Sequence, residues 1–279
     1  MTVLVVSPHL DDAALSVPAW IAARADAGAE VVVLTVFSAG DATHAGRQAE
    51  DRAALARLGA RALHLGLLDA PLRRGIACSF RALVLGELAA DDRDAAAVVG
   101  ALVERIVALA PAQVLLPLGV GEHIDHRIVH AAHARVPGRV GFYEDRPYAC
   151  IPRATQARLA RLGATVDGVA IAASPAAAAE FLAAAGDAPH LRAYLPAADR
   201  EEGLARLTAP LLAPAPTSGL RLQGERHDFA AEPRRRAAAA VRAYASQIAD
   251  LFGDGDAVAR AFAGPYAERI LWREQARAA

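Results

Sequence analysis

The stretch Thr2-Val3-Leu4-Val5-Val6-Ser7-Pro8-His9-Leu10-Asp11-Asp12-Ala13-Ala14-Leu15-Ser16 decides the reading of the chain. Val3 to Val6 form an unbroken apolar run, as expected of a strand covered on both faces rather than one with a wet side. It breaks abruptly into polar residues, and Ala13 begins a helical pattern. Similar runs recur at Val31 to Val36, Val114 to Leu118 and Val140 to Tyr143, separated by Ala/Arg/Leu segments of helical length at Ala19 to Ala27, Ala49 to Leu58 and Ala96 to Leu109. With right-handed crossovers, this alternation predicts an α/β, Rossmann-like three-layer fold with a mostly parallel sheet.

Beyond residue 150 the pattern weakens. Ala154 to Leu162 and Pro175 to Ala185 read as helices interrupted by Gly and Pro, Pro210 to Pro216 as an irregular loop, and Arg234 to Leu251 as a last helix. The expected organisation is a catalytic core over 1–150, a poorly patterned substrate-shaping region over 151–235, and a C-terminal helical part over 236–279 that packs back on the core. A chain of 279 residues buries enough surface to fold without a disulfide or a structural metal.

Composition excludes several chemistries. About a quarter of the residues are Ala and none is Lys, so all 30 basic residues are Arg. A pyridoxal Schiff base and a phosphate loop ending in Gly-Lys-Ser/Thr are therefore impossible. A net charge of −1 and 5% aromatic residues give no footprint for nucleic acid or an anionic membrane, and favour a small neutral substrate. Cys78 and Cys150 form no C-x-x-C pair and are expected as buried free thiols. The first residues carry no basic leader, and the apolar stretches Ile106 to Val120 and Val169 to Ala185 are interrupted by Pro and polar residues. A cytoplasmic protein without a membrane span is the expectation; oligomeric state is not legible.

Ser7 to Ser16 lie just past a strand's C-terminal end, where open parallel sheets bind ligands. One Asp there could cap the following helix, but two carboxylates beside His9 crowd charge in a way that a cation would relieve. A second cluster, Gly119-Val120-Gly121-Glu122-His123-Ile124-Asp125-His126, follows a later strand in the same manner. Imidazole and carboxylate are ligands that zinc takes, and three protein ligands leave a position open for catalysis.

These paired motifs, His9-Leu10-Asp11-Asp12 and His123-Ile124-Asp125-His126, resemble those of the LmbE-like, PIG-L family of zinc-dependent N-acetylglucosaminyl deacetylases. Arg47-Gln48-Ala49-Glu50-Asp51, His64 to Asp69, Phe142 to Tyr148 and Tyr244-Ala245-Ser246-Gln247 are similar to family stretches as well. The resemblance covers residues 1 to 150, thins to scattered points over 151–235, and returns on the last helix. It implies one zinc (Zn2+) per chain on His9, Asp12 and His126, with Asp11 as general base. It further implies a protonated His123 as oxyanion stabiliser, oriented and charged by Asp125, and either Asp11 or His123 as proton donor to the amine. The implied substrate is a small N-acetylated sugar or glycoconjugate, with Arg47, Asp69 and Tyr143 as candidate contacts. Leu10 and Ala13 depart from the family's commonest His-Pro-Asp-Asp-Glu, outside the mapped ligands. Hydrolysis of another amide or an ester, and sugar binding without turnover, are the competing readings.

Other features have plainer readings. Arg47, three residues before Glu50, could be an exposed helix pair, and Asp69 could simply form a turn before Ala70-Pro71. His130 and His133 share a helix face with His126 and are expected to be solvent-exposed. Tyr143, Glu144 and Asp145 end a strand near the proposed site and could support ligands, contact substrate, or do neither. Gly119-x-Gly121 lacks the third glycine of a dinucleotide fingerprint, no Gly-x-Ser-x-Gly elbow occurs, and Arg234 to Arg236 read as a solvated face.

Overall fold

The run Val3 to Val6 lies within β1 (Thr2–Ser7) of a computed structural model that describes residues 1–73, 79–86, 94–192, 194–195, 202–213, 219–252 and 255–274. Flanking it are β2 (Glu30–Ala39), β3 (Ala60–Leu68), β4 (Gln113–Pro117) and β5 (Arg139–Tyr143). Four further strands follow: β6 (Thr165–Val166), β7 (Val169–Ala170), β8 (Arg221–Phe229) and β9 (Tyr266–Arg273). All belong to one sheet, ordered β3-β2-β1-β4-β5-β9-β8-β6-β7. The first five strands are parallel, while β9 pairs antiparallel with both β5 and β8.

The period of two along β1 divides the core. Leu4 and Val6 join one apolar cluster and Val3 and Val5 the cluster on the other face, all fully buried. Each such side chain contributes about 1.5–3 kcal/mol of burial free energy. The first-half helices are α1 (Asp12–Ser16), α2 (Pro18–Asp26), α3 (Ala42–Arg57), α4 (Phe80–Leu85), α5 (Ala95–Leu109) and α6 (Ile124–Ala131). Then come α7 (Ala154–Arg161), α8 (Pro175–Asp187), α9 (Pro189–Arg192), α10 (Glu202–Arg206) and α11 (Thr208–Leu212). The last are α12 (Ala231–Val241), α13 (Ala245–Phe252) and α14 (Gly255–Ala263). No helix among the described residues is long and apolar enough to cross a membrane.

Two expectations for the second half change. The single helix over Arg234 to Leu251 is two, α12 and α13, with Tyr244 turned into the core between them. The stretch from Pro210 is helical to Leu212, and its remainder from Pro214 lies outside the described residues. The strands β8 and β9 were not foreseen at all. The sequence of β8, RLQGERHDF, has no apolar run, because it carries charged side chains on solvated positions.

The order β3-β2-β1-β4-β5 reverses direction between β1 and β4. At such a switch point neighbouring crossovers leave in opposite directions and a crevice opens at the carboxyl ends of the strands. Both polar clusters follow the strands that form it.

Candidate metal centre

Beyond β1 the chain folds back tightly. Asp11 N donates to His9 O at 3.0 Å, and Ser7 Oγ both donates to His9 O at 2.7 Å and accepts from Ala13 N at 3.0 Å. Capping of α1 therefore falls to Ser7, and Asp11 makes no side-chain cap. Asp11 instead adopts φ 149°, a conformation that L side chains rarely take. Such backbone strain costs about 1–3 kcal/mol and concentrates at functional sites.

Beyond β4, Gly119 and Gly121 take positive φ, and at Gly121 a Cβ would meet the Tyr148 ring at 2.3 Å. The loop is held by Asp145, whose Oδ2 accepts from Gly119 N at 2.8 Å and Val120 N at 2.9 Å. Its Oδ1 lies 2.7 Å from His126 Nδ1 and turns the other ring nitrogen inward. Below the loop, buried Glu122 accepts from Arg158 Nη1 at 3.0 Å.

The two clusters meet. Asp12 Oδ2 lies 3.1 Å from His9 Nδ1 and 3.3 Å from His126 Nε2. Ligating atoms of His9, His123 and His126 all lie within 4.8 Å of one another, as do those of His9, Asp69 and Asp125. This set of imidazoles and one shared carboxylate suits a divalent cation.

The electrostatics point the same way. Burial opposes charge on His126, yet Asp12 and Asp145 outweigh it and hold the imidazole at about 9. At His9 burial is likewise overcome, here by Asp69, Asp12 and Asp125, and its pKa is raised. Asp12 stays ionised against its burial because His126 and His9 face it. Asp11 behaves oppositely: burial and then the Asp12 charge push it up to about 7, against the pull of Arg47. His123 is lowered to about 3 by burial and by the cationic His9 and His126. Neighbouring carboxylates with such different proton affinities are suited to different tasks, one ligating and one exchanging protons.

Arg47 reaches the site, with Nη2 3.8 Å from Asp11 Oδ2, and is no exposed partner of Glu50, which instead accepts from Ser246 N and Oγ at 2.9 and 2.6 Å. Asp69 Oδ1 lies 3.3 Å from His9 Nε2. Both line a cavity of about 210 Å³ together with His9, Asp11, Asp12 and His123.

Several expectations need correction. Tyr143 is fully buried and donates its hydroxyl to Val6 O at 2.9 Å, so it is core and cannot touch substrate. The Asp125 carboxylate turns chiefly to other partners: it faces His9 Nε2 at 3.0 Å, accepts from Ala70 N at 3.0 Å and pairs with Arg73, while its charge also acts on His123. Its backbone N–H donates to His123 Nδ1 at 3.3 Å, which requires a neutral imidazole rather than a protonated one. His130 is buried, its Nδ1 3.0 Å from Pro117 O, and is not solvent-exposed. Cys150 is exposed, and Cys78 lies outside the described residues.

Other residues at the site were given no role by the sequence, although Tyr148 and Gln247 fall in stretches similar to the family's. Arg73, in a doublet with Arg74, gives no hint of its buried pairing. His190, Tyr148 and Gln247 line the cavity from separate segments, with His190 and Tyr148 rings edge to face at 5.1 Å.

The chain is similar to several known proteins. The PIG-L family, described as GlcNAc-PI de-N-acetylase, matches residues 4–136. The 2'-N-acetylparomamine deacetylase of Streptomyces fradiae is 36% identical over 167 residues, 52% of this chain, and the match spans only 57% of that relative's length. Among solved structures, a deacetylase of teicoplanin biosynthesis superposes with a TM-score of 0.63 at 22% identity over all of both chains. The A40926 pseudoaglycone deacetylase superposes with a TM-score of 0.56 at 24% identity over 97% of this chain and 96% of its own. A zinc-inhibited form of the teicoplanin deacetylase has a TM-score of 0.60 at 22% identity and full coverage of both chains. At these identities the structures attest the fold.

Proposed function

We propose that this chain, whose residues 4–136 match the PIG-L family, is a zinc-dependent hydrolase removing the acetyl group from an N-acetylated amino sugar, free or conjugated. The observation that carries this reading is the convergence of His9 Nδ1 and His126 Nε2 on Asp12 Oδ2, with Asp11 beside them. The relatives' names point the same way: one is a 2'-N-acetylparomamine deacetylase and another a deacetylase of teicoplanin biosynthesis.

The donor chemistry fits one zinc per chain, held by His9, Asp12 and His126. Bound there, zinc would polarise the acetamide carbonyl and acidify water. The rest falls to side chains. Asp11, balanced near neutrality at about 7, takes the proton of the attacking water and returns it to the departing amine. Arg47 at 3.8 Å favours the ionised form that accepts that proton. With its Nδ1 accepting from Asp125 N, neutral His123 carries its proton on Nε2 and donates to the carbonyl oxygen as negative charge develops. Asp145 fixes the tautomer of His126, while Asp125, anchored by Arg73, steadies His9. Asp69 and Arg47, lining the cavity, contact the sugar.

The test is amine release from N-acetylglucosamine and N-acetylated aminoglycosides, with and without a chelator, for the wild type and Asp11→Asn. The wild type should turn over only when metal is present, and the variant should bind zinc yet run about 10²–10⁴-fold slower. A chelator-resistant activity, or full activity in the variant, overturns the proposal.

A further inference from the structure

A second cavity, of about 430 Å³, opens beside the metal centre, and Leu15 and Pro147 line both. The topology makes them neighbours. Because β9 runs antiparallel to β5, its first residues, Tyr266 and Ala267, lie past the carboxyl end of β5, on the sheet edge that carries the metal centre. The crevice at the switch point thus continues sideways towards β9 and β8.

The walls of this cavity differ from those of the first. Phe252, Phe262 and Tyr266 supply aromatic surface, the last two with ring centroids 4.8 Å apart. Arg146 stacks over Tyr266, its guanidinium carbon 4.8 Å from the ring centroid. Among the described residues its guanidinium makes one hydrogen bond, from Nη2 to Ala267 O at 2.8 Å, so other N–H donors remain for a ligand. The neighbouring charged groups have closer partners: Arg226 is paired with Asp228, Arg269 with Glu144, and Glu268 accepts from Ala19 N and Trp20 N. Glu268 and Glu144 act on Arg146 through their charge, but among the described residues no carboxylate pairs with it directly, so its guanidinium keeps donors to spare beside the aromatic wall.

We propose that this cavity binds the group attached to the amino sugar, and that this group is an aromatic ring carrying one anionic substituent. The ring packs against Phe262 and Tyr266 while the anion meets the guanidinium of Arg146, with Leu15 and Pro147 forming the threshold crossed by the glycosidic linkage. The sugar's position rests on the deacetylase reading; the pocket's own affinity does not.

Cys150 is exposed and lines this cavity, which makes it a reporter. In a Cys78→Ser background, alkylation of Cys150 by N-ethylmaleimide is followed with and without the N-acetyl-β-glucosaminides of phenol and of 4-hydroxybenzoate, alongside amine release from both and from free N-acetylglucosamine. The carboxylated glycoside should protect Cys150, and its kcat/KM should exceed that of the phenyl glycoside by about tenfold, a gain that Arg146→Gln removes. Equal kcat/KM for all three sugars, no protection of Cys150, or a gain that survives Arg146→Gln overturns the proposal while leaving the deacetylase reading intact. Protection without amine release from any sugar sustains the pocket and defeats the deacetylase reading instead.

Discussion

Replacing Asp145 by Asn should weaken zinc binding without touching a ligand. The side chain is fully buried and has two fixed obligations: Oδ2 accepts from Gly119 N and Val120 N, and Oδ1 faces His126 Nδ1 at 2.7 Å. Backbone N–H groups cannot reverse, so an Asn must turn its only oxygen towards them. Its amide N–H₂ then faces His126 Nδ1, which must accept, and the imidazole proton moves to Nε2. That is the nitrogen 3.3 Å from Asp12 Oδ2, the atom needed for the metal. Outer hydrogen bonds of this kind typically govern metal affinity by 10–100-fold, or about 1.4–2.8 kcal/mol. Exchanging a carboxylate for an amide at the two backbone donors costs about another 1 kcal/mol each in stability. Calorimetric titration with zinc reads the first quantity and thermal unfolding of the metal-free protein the second. Asp145→Ala, which strands all three donors, should unfold far more readily than Asn. A folded Asp145→Asn protein with wild-type zinc affinity would refute the tautomer argument.

Three further outcomes are expected. Asp11→Gly relieves the strain at φ 149° and removes a buried carboxylate beside Asp12, so the variant should melt several degrees higher while losing activity; a lower melting temperature would contradict the strain. Because His126 at about 9 and His9 are protonated near neutrality, zinc uptake should expel protons and tighten as pH rises, and calorimetry in buffers of different ionisation heat should detect the release. Burial raises Glu268 from 4.5 to about 7, which means that the folded state favours its protonated form; the resulting stabilisation is complete below 4.5 and lost as pH rises through about 7. That window is worth about 3 kcal/mol, and Glu268→Gln should flatten it in a comparison of melting curves with the wild type.

What could be read in the sequence follows from which residues advertise their environment. Strands buried on both faces announce themselves as apolar runs, so β1, β2, β4 and β5 were legible to within a few residues. In β8 only Leu222 is buried among charged and polar neighbours, in β9 a buried Glu268 interrupts the apolar positions, and their partners are distant in sequence, so no local pattern separates them from loops. The two polar clusters were visible because His and Asp in such numbers are out of place beside buried strands. Roles set by contacts were not: Asp125 turns to His9 and Arg73 rather than to His123, and Tyr143 ends a strand near the site yet points into the core. Helical spacing likewise put His130 beside His126, but only packing against Pro117 O shows it buried.

The position of β9 bears on how the protein is made. Among the described residues it follows the eight other strands yet sits between β5 and β8 in the sheet. During translation β5 must wait with an unfilled edge, its backbone donors and acceptors offered to any passing strand, until residues 266–273 leave the ribosome. A nascent chain halted before that point would hold both polar clusters and still expose a sticky border, so premature termination should yield aggregates rather than a smaller folded protein.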